Sequence, residues 1–362
     1  MRRVGVLFWA WGASLAGSSG CDGGATAAVC SDGVVGSGEE CDDGNLLAGD
    51  GCDPACRLEA GADAGADAGP DAVPDEGLDA EADAASDGPL VIAGGDVSGS
   101  WCGPSQVNAS VTVPAGETLE ICAGSVVTFA PEAAMTVAGT LALRGTAGAR
   151  VTLTSSAQWP GLVVSGTLDG AFADFRNAAR CVDGRRGSAI TIGDSTFEGC
   201  DASIRVASGG TFDRTVVRGG AALGISGGIL RMTDSSIDLG HRGTPPDCTN
   251  FDAGGAVLDH VRIGGCHCPL HVNRTTEEVT VTNSVFDEAA VPVMIAQSTA
   301  TFHGNHFLGS GPGMMDIGGS IAADVAGNYW GGGAPDISTS DPGQFTGTAD
   351  YSTGPIPGAG PR

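Results

Sequence analysis

The chain has 362 residues, 61 of them glycine, with 43 acidic residues against 17 basic ones and a formal net charge of −26. That length suits one large domain plus a small one, and the acidity excludes the basic footprint that binding to nucleic acid or an anionic membrane needs. The charge is spread along the chain, with 25 acids against 14 arginines beyond Gly88, and serves solubility.

Residues 1–20 have the layout of an export signal. Arg2 and Arg3 precede an apolar run from Val4 to Trp11, and small residues follow as far as Gly20. The run is too short for a permanent membrane span. An exported protein is expected, at the outer membrane, at the cell surface or in the periplasm. Cys21 closes the sequence Ser18-Ser19-Gly20-Cys21, whose small residues suit either ordinary signal cleavage or lipidation of Cys21. Such a lipid would be the expected membrane contact.

Twelve cysteines in an exported chain are read first as disulfides. Cys30, Cys41, Cys52 and Cys56 fall within residues 30–58, a segment with too few apolar side chains for a core and so dependent on covalent staples. They are expected to pair among themselves. Asp42, Asp43, Asn45 and Asp50 crowd oxygen ligands onto a glycine-rich loop, the chemistry calcium favours. The same residue types also form turns between disulfides, and the spacing is not that of an EF-hand. No cofactor is therefore assigned, with calcium as the alternative. The run Gly38-Glu39-Glu40-Cys41-Asp42-Asp43-Gly44-Asn45, followed by Gly49-Asp50-Gly51-Cys52, resembles the myxobacterial cysteine-rich disulfide repeat. That resemblance implies a surface-protein module, from a family with no established catalytic role. The segment departs from the repeat at its start, where Cys30-Ser31-Asp32-Gly33 replaces the usual Cys-Gly-Asn/Asp-Gly.

Residues 59–88 hold ten acids and almost no large apolar side chain, which predicts a disordered Ala/Asp/Gly linker.

Residues 89–335 carry an internal repeat. Segments beginning at Ile190, Gly210, Leu230, Ala256, Val279, Ala300 and Ile321 align on one pattern. Each has a large apolar residue near its end: Phe197, Val217, Ile237, Ile263, Phe286, Phe307 and Trp330, at intervals of 20, 20, 26, 23, 21 and 23 residues. Phe175 extends the series. A period near 22 with strand alternation and no helical stretch is one coil of a parallel β-helix. Single coils cannot bury their own apolar face, so they stack. The prediction is an all-β solenoid of roughly ten coils, about 50 Å long at about 4.8 Å per coil, right-handed by the general preference for parallel crossovers. The pairs Ile204/Val206, Leu223/Ile225, Leu270/Val272 and Val293/Ile295 are expected in the next strand of each coil.

Pro114-Ala115-Gly116 with Leu119, Ile121 and Gly124, and Asn328-Tyr329-Trp330-Gly331 at the far end, resemble the pectate-lyase-like family of right-handed parallel β-helix proteins. The resemblance implies the fold and leaves function open, since that fold hosts lyases, hydrolases and non-enzymes. Trp330 is read as a core plug where the last coil closes. Residues 336–362 are read as an extended tail along the rod, and residues 101–111 as cover for the first coil.

The interval of 26 marks an insertion from Gly240 to Gly255, and loops that project from rigid coils are where such proteins place sites. His241, Arg242, Asp247, Asp252, Asp259 and His271 lie in or near it. Carboxylates with an arginine suit calcium-assisted lyase chemistry, whereas hydrolysis needs two facing carboxylates. No catalytic motif of either enzyme class is matched. Cys266 and Cys268 alternate with His267, which parts them from it and disfavours zinc. Cys248 is expected to bond Cys266 or Cys268, Cys102 to bond Cys122, and Cys181 to bond Cys200. The expected function is an exported, anchored β-helix that binds carbohydrate or another surface component, or that serves structurally. A polysaccharide lyase or glycoside hydrolase acting on an acidic polysaccharide is the alternative. If Cys21 carries a lipid, metabolic labelling with a fatty acid marks the wild type and not Cys21→Ser; equal labelling of both ends that reading.

Overall fold

The computed structural model describes Arg57 and residues 88–220, 223–241, 243 and 245–362. The export signal, Cys21, the cluster Cys30, Cys41, Cys52 and Cys56, the calcium candidates Asp42, Asp43, Asn45 and Asp50, and Arg242 lie outside the described residues. The linker lies outside them too, apart from Gly88.

Short strands with apolar residues at every second position bury one face and wet the other. Here they assemble into three parallel sheets of 13, 12 and 12 strands. The chain visits the sheets in turn. Leu90–Ile92 opens the first, Gly95–Asp96 the second and Gly99–Trp101 the third; Ser105–Val107 then returns beside Leu90–Ile92. This is a parallel β-solenoid. Its single described helix is the 3-10 turn Pro342–Gln344.

The strand register places Leu153, Phe175, Phe197, Val217, Ile237, Ile263, Phe286 and Phe307 in one column of the first sheet. All are buried. The rings of Phe175 and Phe197 stack 4.5 Å apart and nearly parallel, and Phe307 meets Trp330 at 4.6 Å. On the second sheet, Val206, Ile225, Phe251, Val272 and Ile295 form a matching inward column. The 20-to-26-residue intervals of the sequence are therefore single coils.

The corner between the third and first sheets explains how coils of different length stay aligned. Asp194, Arg214, Asp234, His260 and Asn283 take φ between 45 and 53° there, the left-handed region, and Gly304 and Gly327 follow at 69 and 71°. The residue after each corner points inward. Ser195 Oγ accepts the Ala173 N–H at 3.0 Å, Ser235 that of Thr215 at 2.9 Å and Ser284 that of Val261 at 3.2 Å. Asn305 and Asn328 continue with their Oδ1 atoms, accepting from Ser284 at 2.9 Å and Asn305 at 2.8 Å. A buried N–H left unpaired at such a bend would cost about 1–3 kcal/mol.

Three expectations need correction. Trp330 is inward-facing, but it does not close the last coil. Ile337–Ser338, Phe345–Thr346 and Tyr351–Ser352 pair in parallel with the coil below, and Phe345 joins the core. The coil pattern therefore runs past 335 to Ser352. Residues 101–111 are coil rather than cover, since Trp101 pairs with Ile121 and Val111 with Met135. Strands of two or three residues are too short to show alternation, which hid the first and last coils.

Only residues 353–362 leave the coil, and they retrace the corner column. The Ile356 N–H donates to His306 Nε2 at 2.7 Å, and the Gly360 N–H to the Asn283 carbonyl at 2.7 Å. Arg362 reaches His260 Nδ1 at 2.6 Å and Asp234 at 3.7 Å.

Two outcomes follow from this packing. Ile263 is fully buried, so Ile263→Ala should cost about 2–5 kcal/mol in denaturant unfolding; a cost within about 0.5 kcal/mol would contradict its place in the ladder. Burial holds His306 below the ordinary histidine pKa, and Nε2 accepts the Ile356 N–H only when unprotonated. Its contribution is therefore complete above the unfolded value of about 6.5 and is lost as pH falls from there through the depressed folded value. Amide exchange across residues 353–362 should accelerate on acidification through that window, and His306→Phe should show the faster exchange already at neutral pH.

Candidate functional site

Three disulfides brace the solenoid. Cys102–Cys122, Cys181–Cys200 and Cys248–Cys266 have Cα separations of 4.8, 5.7 and 5.7 Å. Gly199, at φ 65°, turns the chain so that Cys200 comes back over Cys181. Cys248 takes Cys266, which leaves Cys268 as a buried free thiol whose pKa burial pushes up. Strand alternation sends Cys266 and Cys268 inward and His267 outward, so these three do not converge on a metal.

The candidate acids of the insertion belong to three separate networks. Asp247 Oδ1 lies 3.2 Å from His267 Nδ1, and its Oδ2 lies 3.2 Å from His271 Nδ1. Burial raises the Asp247 pKa, but the hydrogen bonds from His271 and His267 outweigh it and hold the carboxyl below its ordinary value. Asp252 takes Arg274 Nη2 on both oxygens, at 2.8 and 2.9 Å. Asp259 sits at the corner of another sheet, accepting from Thr282 at 2.7 Å and Asn283 at 2.8 Å, with His260 Nδ1 at 2.9 Å. Burial there is likewise outweighed, by Thr282, Asn283 and His260, and its pKa falls. His241 is at the start of the insertion, its backbone N–H donating to the Gly265 carbonyl. The structure thus joins Asp247 and His271, and adds His267. A carboxyl acting as general acid near neutrality needs a raised pKa, and both shifts run the other way.

A groove that sequence proximity did not reveal lies on the outer face of the second sheet. It has a volume of about 560 Å³ and crosses the strands Ala178–Gly184, Ala202–Val206, Leu223–Ile225 and Thr249–Asp252. The register sets Asp183, Arg205, Gly224 and Asn250 side by side across it. Gly224 has no side chain to fill the space beside Arg205, whose Cγ would lie 3.6 Å from a Cβ there. Asp183 is neutralised by Arg180 and Arg185, each at 3.0 Å. Arg186 and Arg205 line the same groove, and neither has an ion-pair partner among the described residues. The Arg185-Arg186 pair in so acidic a chain was the signal available in the sequence. Among the described residues no three His, Cys, Asp or Glu side chains are arranged to hold a metal ion.

Residues 27–57 match a family described as a domain of unknown function, DUF4215. No curated protein and no solved structure matches the chain.

Proposed function

We propose that this is an exported, lipid-anchored surface protein whose solenoid binds an acidic glycan without cleaving it. In this reading the solenoid is a right-handed helix of the pectate-lyase-like type. Residues 27–57 act as a surface module akin to the myxobacterial disulfide repeat.

The observation that carries the reading is the pair of guanidiniums without an ion-pair partner among the described residues, Arg186 and Arg205, in a lateral groove of a chain with net charge −26. Guanidinium forks match carboxylates in bidentate geometry. Ser226 and Asn250 line the same groove and offer partners for sugar hydroxyls. Its volume lies within the roughly 300–1,000 Å³ of ligand sites. A groove laid across successive coils suits an extended polymer better than a compact metabolite.

A lyase is the second reading, because Asp183 and Asp252 line the groove beside the arginines. Affinity electrophoresis of the full chain through polygalacturonate and through neutral dextran tests both. Polygalacturonate should retard the wild type, more weakly as salt rises, and Arg186→Ser/Arg205→Ser should weaken retardation at least about tenfold, one fork contact being worth about 1.4 kcal/mol or more. Equal retardation of both proteins, or retardation by dextran alone, would overturn the proposal. Release of unsaturated uronate ends would replace it with the lyase reading.

A further inference from the structure

On the second sheet, beyond the arginine groove, the strands Leu270–Asn273, Val293–Ala296 and Met314–Asp316 lie side by side. His271 is opposite Met294, and Met294 is opposite Met315. Met294 lies between the buried Val293 and Ile295 yet is itself partly exposed, as is His271 between Leu270 and Val272. Alternation therefore turns both side chains to the outer face, and Met315, next to the buried Met314, joins them. Neighbouring parallel strands are about 4.8 Å apart, so one imidazole and two thioethers stand in a row on the solvent side. Elsewhere this outward column runs through Thr112, Thr136, Val163, Asp183, Arg205, Gly224, Asn250 and Ser338, mostly polar, and only in the His271 row do two large flexible side chains stand together. The two methionines have no core to fill there.

His271 is already oriented as a ligand would be. Its Nδ1 faces Asp247, which belongs to the preceding coil. An Nδ1–H tautomer donates to that carboxylate oxygen across the 3.2 Å between them. In that tautomer Nε2 keeps its lone pair. No hydrogen-bond partner meets Nε2 among the described residues. A carboxylate behind the imidazole is the arrangement that fixes the tautomer of metal-ligating histidines.

We propose that His271 Nε2 and the sulfurs of Met294 and Met315 bind a soft monovalent ion, Cu(I). Thioethers select Cu(I), whereas calcium requires six or more oxygen ligands and zinc favours thiolate, imidazole and carboxylate. A thioether carries no proton and forms no disulfide, so the site remains available where the cysteines are oxidised. The inference is independent of the glycan groove.

The test is anaerobic titration of the full chain with Cu(I) against a colorimetric Cu(I) chelator. The wild type should hold one more equivalent than Met294→Leu/Met315→Leu, in which leucine preserves bulk and removes sulfur. Cys268→Ser should bind as the wild type does, which separates the site from the free thiol. Asp247→Ala should bind Cu(I) about 10–100-fold more weakly. The proposal is overturned if the double leucine variant matches the wild type in stoichiometry and affinity, if Cys268→Ser abolishes the extra equivalent, or if Asp247→Ala binds as tightly as the wild type.

Discussion

A parallel solenoid must turn its chain through a sharp corner in every coil, and at each corner one backbone N–H falls out of line with the carbonyls of the next coil. At Ala173, Thr215, Val261, Ser284 and Asn305 that N–H is met by a side chain. Ser195, Ser235, Ser284, Asn305 and Asn328 each stand one residue past a left-handed corner and accept the N–H from the coil before. One such bond contributes only about 0.5–1.5 kcal/mol net, but leaving the group unpaired costs more. The hydrogen bond also fixes geometry. From each corner residue to its inward apolar residue is three positions, as in Asp194 to Phe197, Asp234 to Ile237, His260 to Ile263 and Gly327 to Trp330. The aromatic ladder therefore stays in register whatever the rest of the coil does.

That constraint decides where length can vary. The 26-residue interval inserts its extra residues after the first-sheet strand Ser236–Asp238 and before the second-sheet strand Thr249–Asp252, leaving the corner untouched. The Cys248–Cys266 bridge pins the return of the inserted segment onto the next coil. Variation is thus directed to the flank of the second sheet. Its outer face carries the groove, the Asp247 pair of histidines and the row of His271, Met294 and Met315. A rigid corner and a permissive flank divide the coil into scaffold and surface.

The ladder was legible in the sequence because a bulky apolar residue recurs once per coil in constant context. The corner residues were present in the same segments, as Asp-Ser, Asn-Ser and Gly-Asn, but their role depends on a coil 20 or more residues away. The three bridges within the solenoid join cysteines 18 to 20 residues apart, close to one coil, so periodicity alone brings their partners near. The end coils were illegible because strands such as Gly95–Asp96 and Ile337–Ser338 are too short for any alternation. The groove was illegible for a different reason. Asp183 and Asp252 line it from strands with two others between them, and what distinguishes the arginines there is whether they already have partners. Proximity in sequence instead pointed to Asp247, Asp252 and Asp259, which strand alternation and the change of sheet send into separate networks.

Charge pairing on the rod gives those arginines their meaning. Stacked coils bring outward residues of neighbouring strands close together, where like charges repel. The chain interleaves arginines among its acids to relieve this. Arg144 stands between Glu120 and Asp169, at 3.8 and 2.7 Å, and Arg262 between Asp238 and Asp287, at 3.6 and 3.0 Å. Arg214 joins Asp194, whose carboxyl it holds below the ordinary range. These arginines thus offset the carboxylates stacked around them. In the groove, Arg180 and Arg185 already neutralise Asp183, so Arg186 and Arg205 exceed what local repulsion requires. Positive charge that the stacking does not need, kept beside a glycine that leaves the surface concave, is available to a carboxylate from outside the chain.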